Sequence, residues 1–565
     1  MPVEHYAKAV VLVEPDGSFT VAAAAVFGAL APMNGPGRGL PGYYQRVPGV
    51  RFVTETVYSF VAAHRVAEYR LTQLLWGRAP SVGTYGVSTW IFLRLLGLVF
   101  FAAFASLWVQ IDGLVGSHGI LPLQPWLEAV HSELGVAAYY LAPTLSWLDG
   151  GDAVLHGLCV GGMGLSVLLV LGVAPVLLLI LLWGAYLSLV TDGREFLTFQ
   201  WDLLLLETGF LSVFLAPLSL SPWRGIGHEP PRIARWLLWW LLFRLNFMSG
   251  MVKWLSGDPT WRNLTALDYH FFTQPLPPWT AWHAQHWRPG VHAALVVGMY
   301  AIELAAPFLI VMPRYVRHLA AVSLAALQAG IAATGNYGFF NVLAITLCVL
   351  LLDDAAWPSW LRRRVGWRED GPLRSRRWPP WVCWPVGAFV LAMTGMAMMD
   401  RFQADVGWPR PLAALQQWVQ PFASLNGYGL FAVMTTTRQE IVIEGSRDGV
   451  TWAAYEFKWK PGDVNRRPAF VQPHMPRLDW RMWFAPLEPY QRSPWYFHFL
   501  AGLLRGSPEV KALLANDPFP GEPPRYLRST LYAYRFSRPQ ERAADGAWWV
   551  RTETGPFCPT VRRRD

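Results

Sequence analysis

The chain has 565 residues, of which 53% are hydrophobic and only 15% charged, and its net charge is +9. A soluble domain carries roughly 25% charged residues, so this composition excludes an ordinary soluble protein and indicates that a bilayer surrounds much of the chain. The positive charge is concentrated in short loops such as Arg362–Arg364, which is typical of a membrane topology signal and disfavours a nucleic-acid partner.

The N-terminal region and the cysteines carry little sign of export or redox chemistry. The four cysteines, Cys159, Cys348, Cys383 and Cys558, show neither CxxC nor metal-ligand spacing, so no disulfide framework is predicted. The chain begins without a basic start, an apolar stretch and a small-residue cleavage site. We therefore expect residues 1–80 to stay in the cytoplasm.

Apolar runs approaching 20 residues predict about nine membrane spans. These spans lie at 87–109, 153–173, 175–191, 203–220, 234–255, 291–312, 316–333, 338–352 and 380–399. Several of these runs are short, so the predicted number is uncertain by one or two.

With the N-terminus inside, an odd number of spans places three arginine-bearing loops in the cytoplasm, as the positive-inside rule requires. These loops carry Arg224, Arg232 and Arg235, then Arg314 and Arg317, then Arg362–Arg364 and Arg374–Arg377. The same parity places residues 111–152, 256–290 and those after about 400 on the outer side. We expect function to reside there.

Several charged residues fall inside the predicted spans, where each costs at least about 2.5–3.5 kcal/mol near the midplane unless a partner offsets it. Arg94, Glu207, Arg244 and Glu303 carry both signs and lie in four different spans. We predict that Glu207 and Glu303 face Arg94 and Arg244, which would fix helix packing. Lys253 lies near the outward end of its span, where its long stem could extend to the interface.

The outer loop 256–290 carries a dense group of polar and aromatic side chains, namely Asp258, Trp261, Arg262, Asp268, His270 and Gln274. Its aromatic residues and prolines favour an ordered lid, while its polar groups leave binding or catalysis open. Asp268 and His270 are two residues apart and point to different faces of a helix, so a third metal ligand is not assured. We expect Asn336, Tyr337 and Asn341 to pack against this loop.

Beyond the last predicted span, the pattern changes from apolar runs to alternation. Residues 438–462 alternate around a Ser-Arg-Asp-Gly turn, which predicts a β-hairpin. Residues 495–504 and 508–515 have helical spacing, and residues 526–537 and 547–554 return to a period of two. The pattern predicts a separate β-rich domain with one helical insertion.

Within this C-terminal part, His474, Arg477 and Asp479 lie close together in the sequence, beside Trp480. Such groups can carry acid-base chemistry. However, no nucleophile elbow, phosphate loop or HExxH zinc motif accompanies them. We interpret Arg477 and Asp479 as a structural pair, and the aromatic residues around them as a possible protein-binding patch.

Four long sequence blocks carry a resemblance to a known family. They are FQWDLLLLETGFLSVFLAP (199–217), residues 240–276 from WLLFRLNF to FFTQPL, TGNYGFFNVL (334–343), and residues 428–487 from YGLFAVMTT to WFAPL. Together they resemble the lipase maturation factor family. The resemblance implies a multi-pass membrane protein that helps dimeric lipases to fold and assemble in the endoplasmic reticulum.

Two shorter resemblances concern the N-terminal region and Lys253. Residues 10–30 and 43–65 resemble the C-terminal part of the DCC-type thiol-disulfide oxidoreductase family, but no cysteine precedes Cys159, so residues 1–80 are interpreted as a redox-inactive remnant. Lys253 followed by Trp261 resembles the lysine-tryptophan arrangement of vitamin K-dependent carboxylase relatives, in which a lysine can serve as a base.

The sequence therefore predicts a mainly α-helical polytopic membrane domain at 87–399, followed by a β-rich extracytoplasmic domain at 400–565. Residues 1–80 would form a cytoplasmic remnant that precedes both. The expected location is the plasma membrane in a bacterium, or the endoplasmic reticulum membrane in a eukaryote.

The predicted function is that of a lipase maturation factor-like protein, which assists folding, assembly or maturation of exported proteins such as lipases. It would hold its client through residues 256–290 and 428–487, without a catalytic residue, cofactor or metal. The main alternative is a carboxylase-like membrane enzyme that acts through Lys253 on a small or lipid-like substrate. A transporter is disfavoured because no inverted repeat is visible.

Overall fold

A computed structural model describes residues 9–14, 16–30, 40–77, 83–220, 229–365, 378–402 and 406–563. The chain divides into two compact units, one of residues 1–82 with 313–316 and one of residues 83–312 with 317–565. The arginines predicted at 224 and in 374–377 lie outside the described residues.

In the part of the smaller unit that the structure describes, one short hairpin is combined with four helices. Strands β1 and β2 pair antiparallel, and the elements of this unit are β1 Val11–Val13, β2 Phe19–Val21, α1 Ala22–Leu30, α2 Leu40–Arg46, α3 Val50–Ala63 and α4 Arg65–Trp76. Tyr44 is buried and donates a hydrogen bond to Glu55 on α3 (2.7 Å), which ties α2 to α3.

The larger unit begins with a bundle of helices. Its helices up to residue 401 are α5 Gly86–Trp108, α6 Ile111–Val115, α7 Leu123–Leu134, α8 Ala138–Leu141, α9 Asp152–Leu171, α10 Pro175–Gly193, α11 Gln200–Leu215, α12 Arg232–Leu255, α13 Pro259–Arg262, α14 Ala266–Thr273, α15 Trp279–Gln285, α16 Pro289–Tyr300, α17 Ala306–Leu309, α18 Arg314–Thr334, α19 Phe340–Val349, α20 Ser359–Arg364 and α21 Pro380–Arg401. A π-helical turn, Ala301–Ala305, joins α16 to α17. Every predicted span corresponds to one of these helices.

Six of the described helices are long and apolar enough to cross a membrane. They are α5, α9, α10, α16 continued through α17, α18 and α21. The break between α9 and α10 has a local cause, because Gly172 ends α9 with a φ of 84° and Pro175 occupies the first turn of α10.

The other three predicted spans form helices that fall short of these criteria. Helix α11 has 16 residues and α19 has 10, while α12 has 24 but carries Arg232, Arg235, Arg244 and Lys253. A helix of 16 residues is about 24 Å long, and the bilayer core is about 30 Å thick. The predicted number of nine spans is therefore not confirmed by length and composition.

The helix ends gather at two opposite ends of the bundle. At the end that we call basal, Asp354 accepts hydrogen bonds from Gly86 N (2.9 Å) and Val87 N (2.8 Å) at the start of α5. There, Arg317 of α18 also donates to the carbonyl of Leu351 (2.9 Å), just beyond α19. These bonds join the start of α5, the start of α18 and the end of α19.

At the opposite end, which we call apical, the helices meet the C-terminal part of the chain. Gln110, just after α5, donates to the carbonyl of Met475 (2.8 Å), and Asp202 at the start of α11 pairs with Arg477. Helix α12 runs between the two ends, because Trp239 donates to the basal carbonyl of Leu350 (2.9 Å). The same helix ends at Leu255, where the apical loops begin.

The C-terminal part contains one four-stranded antiparallel sheet in the order β4-β3-β5-β6. Its strands are β3 Arg438–Ser446, β4 Ala453–Tyr455, β5 Tyr526–Phe536 and β6 Trp549–Arg562. The predicted hairpin is confirmed, because Ile443 pairs with Tyr455 and Gly445 with Ala453 across a turn. In that turn, Asp448 accepts hydrogen bonds from the backbone N–H groups of residues 450 and 451 (both 2.8 Å).

Helices accompany this sheet in larger number than the sequence predicted. They are α22 Arg410–Val419, α23 Arg477–Phe484, α24 Pro494–Arg505, α25 Pro508–Lys511 and α26 Pro539–Asp545. The expectation of one helical insertion is therefore wrong for the described residues. Bundle and sheet belong to the same compact unit, and the domain division at about residue 400 stays a prediction.

Candidate functional site

The pairing predicted for Arg244 is present. Its guanidinium donates to Glu207, both side chains are almost fully buried, and Tyr428 donates to the other carboxylate oxygen of Glu207 (2.7 Å). Arg244 also donates to the backbone carbonyl of Asn426 (2.7 Å). Two bundle helices thereby hold the irregular segment that follows Ala423 between them, which satisfies its backbone away from lipid.

Lys253 does not extend to the interface as predicted. Its ammonium donates to both carboxylate oxygens of Glu303 (2.8 and 2.7 Å), and Lys253 is only 5% exposed. Glu303 lies in the π-helical turn, a device that often redirects a side chain at one point of a helix. The ammonium is also 5.6 Å from the ring centre of Trp261.

Among the described residues, none is the acidic partner that was predicted for Arg94. Its guanidinium lies 4.2 Å from the ring centre of Trp90 and donates to the carbonyl of the same residue (3.3 Å). The prediction that Glu303 would neutralise Arg94 or Arg244 is wrong, because Glu303 pairs with Lys253. A cation over an aromatic face replaces the predicted ion pair at Arg94.

The apical loops and the chain around residues 431–475 form one hydrogen-bonded body, which we call the apical clasp and define as residues 256–285, 334–338, 431–438 and 469–475. Asp258 accepts hydrogen bonds from Met434 N (2.6 Å) and Thr260 N (2.7 Å). Burial opposes ionisation of Asp258, but these hydrogen bonds outweigh it and lower its pKa. Trp261 donates to the carbonyl of Phe431 (3.0 Å).

A second set of contacts joins the clasp to the ends of α18 and α19. Asn336 donates to the carbonyls of Leu276 and Ala469 (both 2.9 Å), and Tyr337 donates to Gln274 (3.2 Å). The predicted packing of residues 336 and 337 against the outer loop is therefore observed. Asn341 is also buried, but no described residue accepts or donates a hydrogen bond to its amide.

His270 and Asp268 diverge within the clasp. The Nε2 atom of His270 lies 3.3 Å from the hydroxyl of Tyr337, and burial, with the nearby charge of Lys253, lowers the pKa of His270 to about 4. Asp268 instead pairs with His292 (2.7 Å). Among the described residues, no three His, Cys, Asp or Glu side chains are grouped in a way that could hold a metal ion.

Arg438 holds the clasp to the sheet, and the sequence analysis missed it. Its guanidinium donates to the carbonyls of Phe272 (3.0 Å), Gln274 and Pro275 (2.8 Å), and it pairs with Glu440 (2.6 Å). Residues 438 and 440 share one face of β3 because side chains alternate along a strand. Two opposite charges at that spacing, just before the apolar run 441–443, could have signalled a buried pair.

The segment 473–480 docks onto the bundle. Arg477 pairs with Asp202 through two hydrogen bonds (2.6 and 2.7 Å), and Tyr186 donates to the same carboxylate (2.6 Å). Asp479 accepts hydrogen bonds from the backbone N–H groups of Trp459 (2.7 Å) and Lys460 (2.9 Å). The predicted pairing of Arg477 with Asp479 is therefore wrong.

The remaining predicted residues of this segment are also structural. His474 contacts the hydroxyl of Ser106 through Nδ1 (2.9 Å), and burial, aided by the charge of Arg477, lowers the pKa of His474 to about 4. Trp480 is buried, with ring centres 4.8 Å from Trp201 and 5.7 Å from Tyr337.

Few of the predicted site residues are open to solvent. Of them, Arg262 is exposed, Arg94, His270, His474 and Asp268 are partly buried, and the others are buried. The clasp also exposes two apolar side chains that the sequence analysis did not single out, Val433 (68% exposed) and Phe470 (42%). The side chains that the clasp exposes to solvent are therefore mostly different from the buried side chains that determine its shape.

The architecture defines a multi-pass membrane protein, whose apolar helices end in a folded body at one end of the bundle. Residues 87–359 match the lipase maturation factor transmembrane domain, and residues 424–559 match the lipase maturation factor C-terminal domain. The chain belongs to the lipase maturation factor family.

Individual relatives cover most of the chain. It is 35% identical to lipase maturation factor 2 of Gallus gallus, across 83% of this chain and 81% of that protein. It is 33% identical to lipase maturation factor 1 of Bos taurus (86% and 90% covered) and 34% identical to lipase maturation factor 1 of Homo sapiens (86% and 91%). No solved structure matches.

These matches bear unequally on the two shorter resemblances. The carboxylase-like alternative gains no support from them, and in the structure Lys253 is engaged by Glu303. The two matched domains begin at residue 87, so the DCC-type resemblance of residues 1–80 stays a prediction.

Proposed function

We propose that this protein assists the folding, assembly or maturation of exported proteins such as lipases, and that it does so by binding a client without chemistry of its own. Membership of the family supports the role, since relatives named lipase maturation factor 1 and 2 match over most of their own length. The family resemblance favours the endoplasmic reticulum membrane in a eukaryote and the plasma membrane in a bacterium.

The topology that we propose has nine crossings, with the basal end in the cytoplasm. Helices α11, α12 and α19 run between the same two ends as the six helices of membrane-spanning length, which supports counting them as crossings. Arg235, Arg317 and Arg362–Arg364 lie at the basal end or in loops that follow it, as the positive-inside rule would require. Residues 1–80 would then be cytoplasmic, residues 87–399 the membrane domain, and residues 400–565 the outer domain.

We place client binding on the exposed surface of the apical clasp, around Arg262, Val433 and Phe470. The observation that carries this proposal is that two hydrogen bonds join two distant chain segments into one body: Asp258 accepts one from Met434 N, and Trp261 donates one to the carbonyl of Phe431. A surface held in this way loses little conformational entropy when a partner binds. The exposed apolar side chains offer contact area to a client whose own core is still incomplete.

The test is the specific activity of a secreted lipase, measured per unit mass, in cells that lack their own maturation factor. We expect this protein to raise that activity, and Val433→Asp to reduce the gain. The matched control is Val450→Asp, because Val450 is also an exposed valine (81%) but lies in the hairpin turn, away from the clasp. No gain with the unaltered protein would refute the proposed function, and equal effects of both substitutions would refute the proposed surface.

A further inference from the structure

Two arginines alternate with three tryptophans between α15 and the sheet, and we call this set the arginine ladder. The guanidinium carbon of Arg467 lies 4.6 Å from the ring centre of Trp279 and 5.9 Å from that of Trp548. The corresponding carbon of Arg542 lies 3.5 Å from the ring centre of Trp548 and 4.6 Å from that of Trp282. Aromatic faces thus hold both guanidinium groups in place.

Stacking leaves the N–H edges of both guanidinium groups unused. Among the described residues, none forms an ion pair with Arg467 or Arg542 or accepts a hydrogen bond from either side chain. The acidic neighbour Glu541 is engaged by Arg535 through two contacts of 2.7 Å. Each guanidinium therefore presents several donors and a full positive charge outward.

Further cations surround the ladder. A cleft next to Arg467 is also lined by Lys458 and Arg466, which outnumber its one carboxylate, Asp463. The ladder and this cleft together make a local concentration of positive charge. Planar guanidinium edges match the oxygens of phosphate and carboxylate groups through paired hydrogen bonds, so the chemistry of the ladder selects an anion.

The ladder stands beside the apical ends of lipid-facing helices. On α15, which carries two of its tryptophans, Thr280 donates to the carbonyl of Ala333 (2.6 Å) in the last turn of α18. Helix α15 ends four residues before Pro289, where α16 begins. Trp287 (47% exposed) and Val291 (43%) form an aromatic and aliphatic margin there, which is typical of the membrane interface.

We propose that the arginine ladder binds the phosphate of an anionic phospholipid headgroup in the leaflet at the apical side. The bound phosphate would accept hydrogen bonds from the N–H edges of Arg467 and Arg542, while the acyl chains would lie along α16 and α18. The ladder lies beside the apical ends of two lipid-facing helices, and this position favours a lipid over an acidic protein segment as the ligand. Such a lipid would anchor α15, and with it one side of the clasp.

The test uses the full chain purified in detergent, with thermal unfolding followed as phosphatidylglycerol or phosphatidylcholine is added. We expect phosphatidylglycerol alone to raise the melting temperature, through mass action on the folded state. Arg467→Gln and Arg542→Gln should each weaken the apparent affinity about 5-fold, which corresponds to about 1 kcal/mol per arginine near a lipid surface. The matched control is Arg492→Gln with Arg505→Gln, which removes the same charge from exposed, unstacked positions.

Three outcomes would overturn the proposal. The first is phosphatidylglycerol binding that survives both ladder substitutions or falls equally in the control. The second is equal stabilisation of the unaltered protein by inorganic phosphate, which would assign the site to free phosphate. The third is a glutamate-rich peptide that binds through Arg467 and Arg542 while phosphatidylglycerol does not, which would assign it to an acidic protein segment. Melting temperatures without lipid show whether each variant is folded.

Discussion

Charged residues have different structural roles inside the bundle and at the junction between its apical end and the C-terminal sheet. Within the bundle, Arg244 pairs with Glu207 and Lys253 with Glu303, so that charge neutralises charge between helices. At the junction, Arg438 also donates to three backbone carbonyls of the loop before α15. The first arrangement fixes which helices are neighbours, and the second fixes the shape of a loop on a sheet. Client binding would depend more on the second.

The largest effect should come from Arg477→Met. It would leave Asp202 buried without its charged partner, and breaking a buried pair in this way costs about 3–5 kcal/mol. Thermal unfolding in detergent and the amount of protein recovered from membranes would measure the loss. The control is Arg477→Met combined with Asp202→Leu, which we expect to recover much of the stability. A harmless single substitution would show that this contact does not hold the C-terminal part to the bundle.

A smaller loss is expected from Arg438→Lys. Lysine keeps the charge beside Glu440, but it lacks the planar fork that reaches several carbonyls at once. The loss of these charge-assisted hydrogen bonds should lower the free energy of unfolding by about 2 kcal/mol. Hydrogen exchange in residues 272–276 should rise at the same time. Unchanged exchange there would contradict the role of Arg438 in shaping the loop.

Asp258→Asn should cost about 1 kcal/mol, because the amide oxygen can keep the helix-cap hydrogen bond from Thr260 N but the amide nitrogen cannot accept the one from Met434 N. Because the pKa of Asp258 is lower in the folded protein than its ordinary value of 3.8, its contribution is fully present above that value and is lost as the pH falls through the folded pKa. Thermal unfolding between pH 3 and pH 7 should therefore show a constant difference from the unaltered protein near neutrality. That difference should shrink at the acidic end, and a difference that grows on acidification would contradict this account.

The smallest effect should come from replacing Lys253 and Glu303 together with methionine. Removal of both partners of a buried pair is often neutral, so stability should change by less than about 1 kcal/mol. Lipase maturation should persist, because the account gives Lys253 no chemical role. Loss of maturation with a normally folded double variant would favour an enzyme that uses Lys253.

Sequence patterns were sufficient to predict those elements whose signal lies within one short segment of the chain. Apolar runs located the helices of the nine predicted spans, and alternation around turn residues located the hairpin at 438–455, because both signals are properties of short segments. Opposite charges in apolar helices also predicted a pair for Arg244. The choice of acidic partner for Arg244 and for Lys253 depends on which helices are neighbours and on the π-helical turn at Ala301–Ala305. Neither feature can be read from a single sequence.

The candidate site was harder to predict because it depends on contacts between residues that are far apart in the sequence. Asp202 and Arg477 are 275 residues apart, and only the packing of α11 against the C-terminal part brings them together. The sequence identified polar residues in the outer loop but could not show that Asp258 and Gln274 among them are buried supports. Exposed Val433 and Phe470 carry no motif, so their availability became visible only in the fold.

Photo-crosslinking of a newly made lipase to two exposed arginine positions would show whether the client contacts the apical clasp while it matures. A photo-reactive residue would replace Arg262 on the clasp or, as the matched control, Arg363 in the loop that the topology places in the cytoplasm. The account predicts a crosslink from position 262, which is lost once the lipase reaches its active form, and none from position 363. A lipase that is matured without contacting position 262, or that crosslinks equally at both positions, would contradict it.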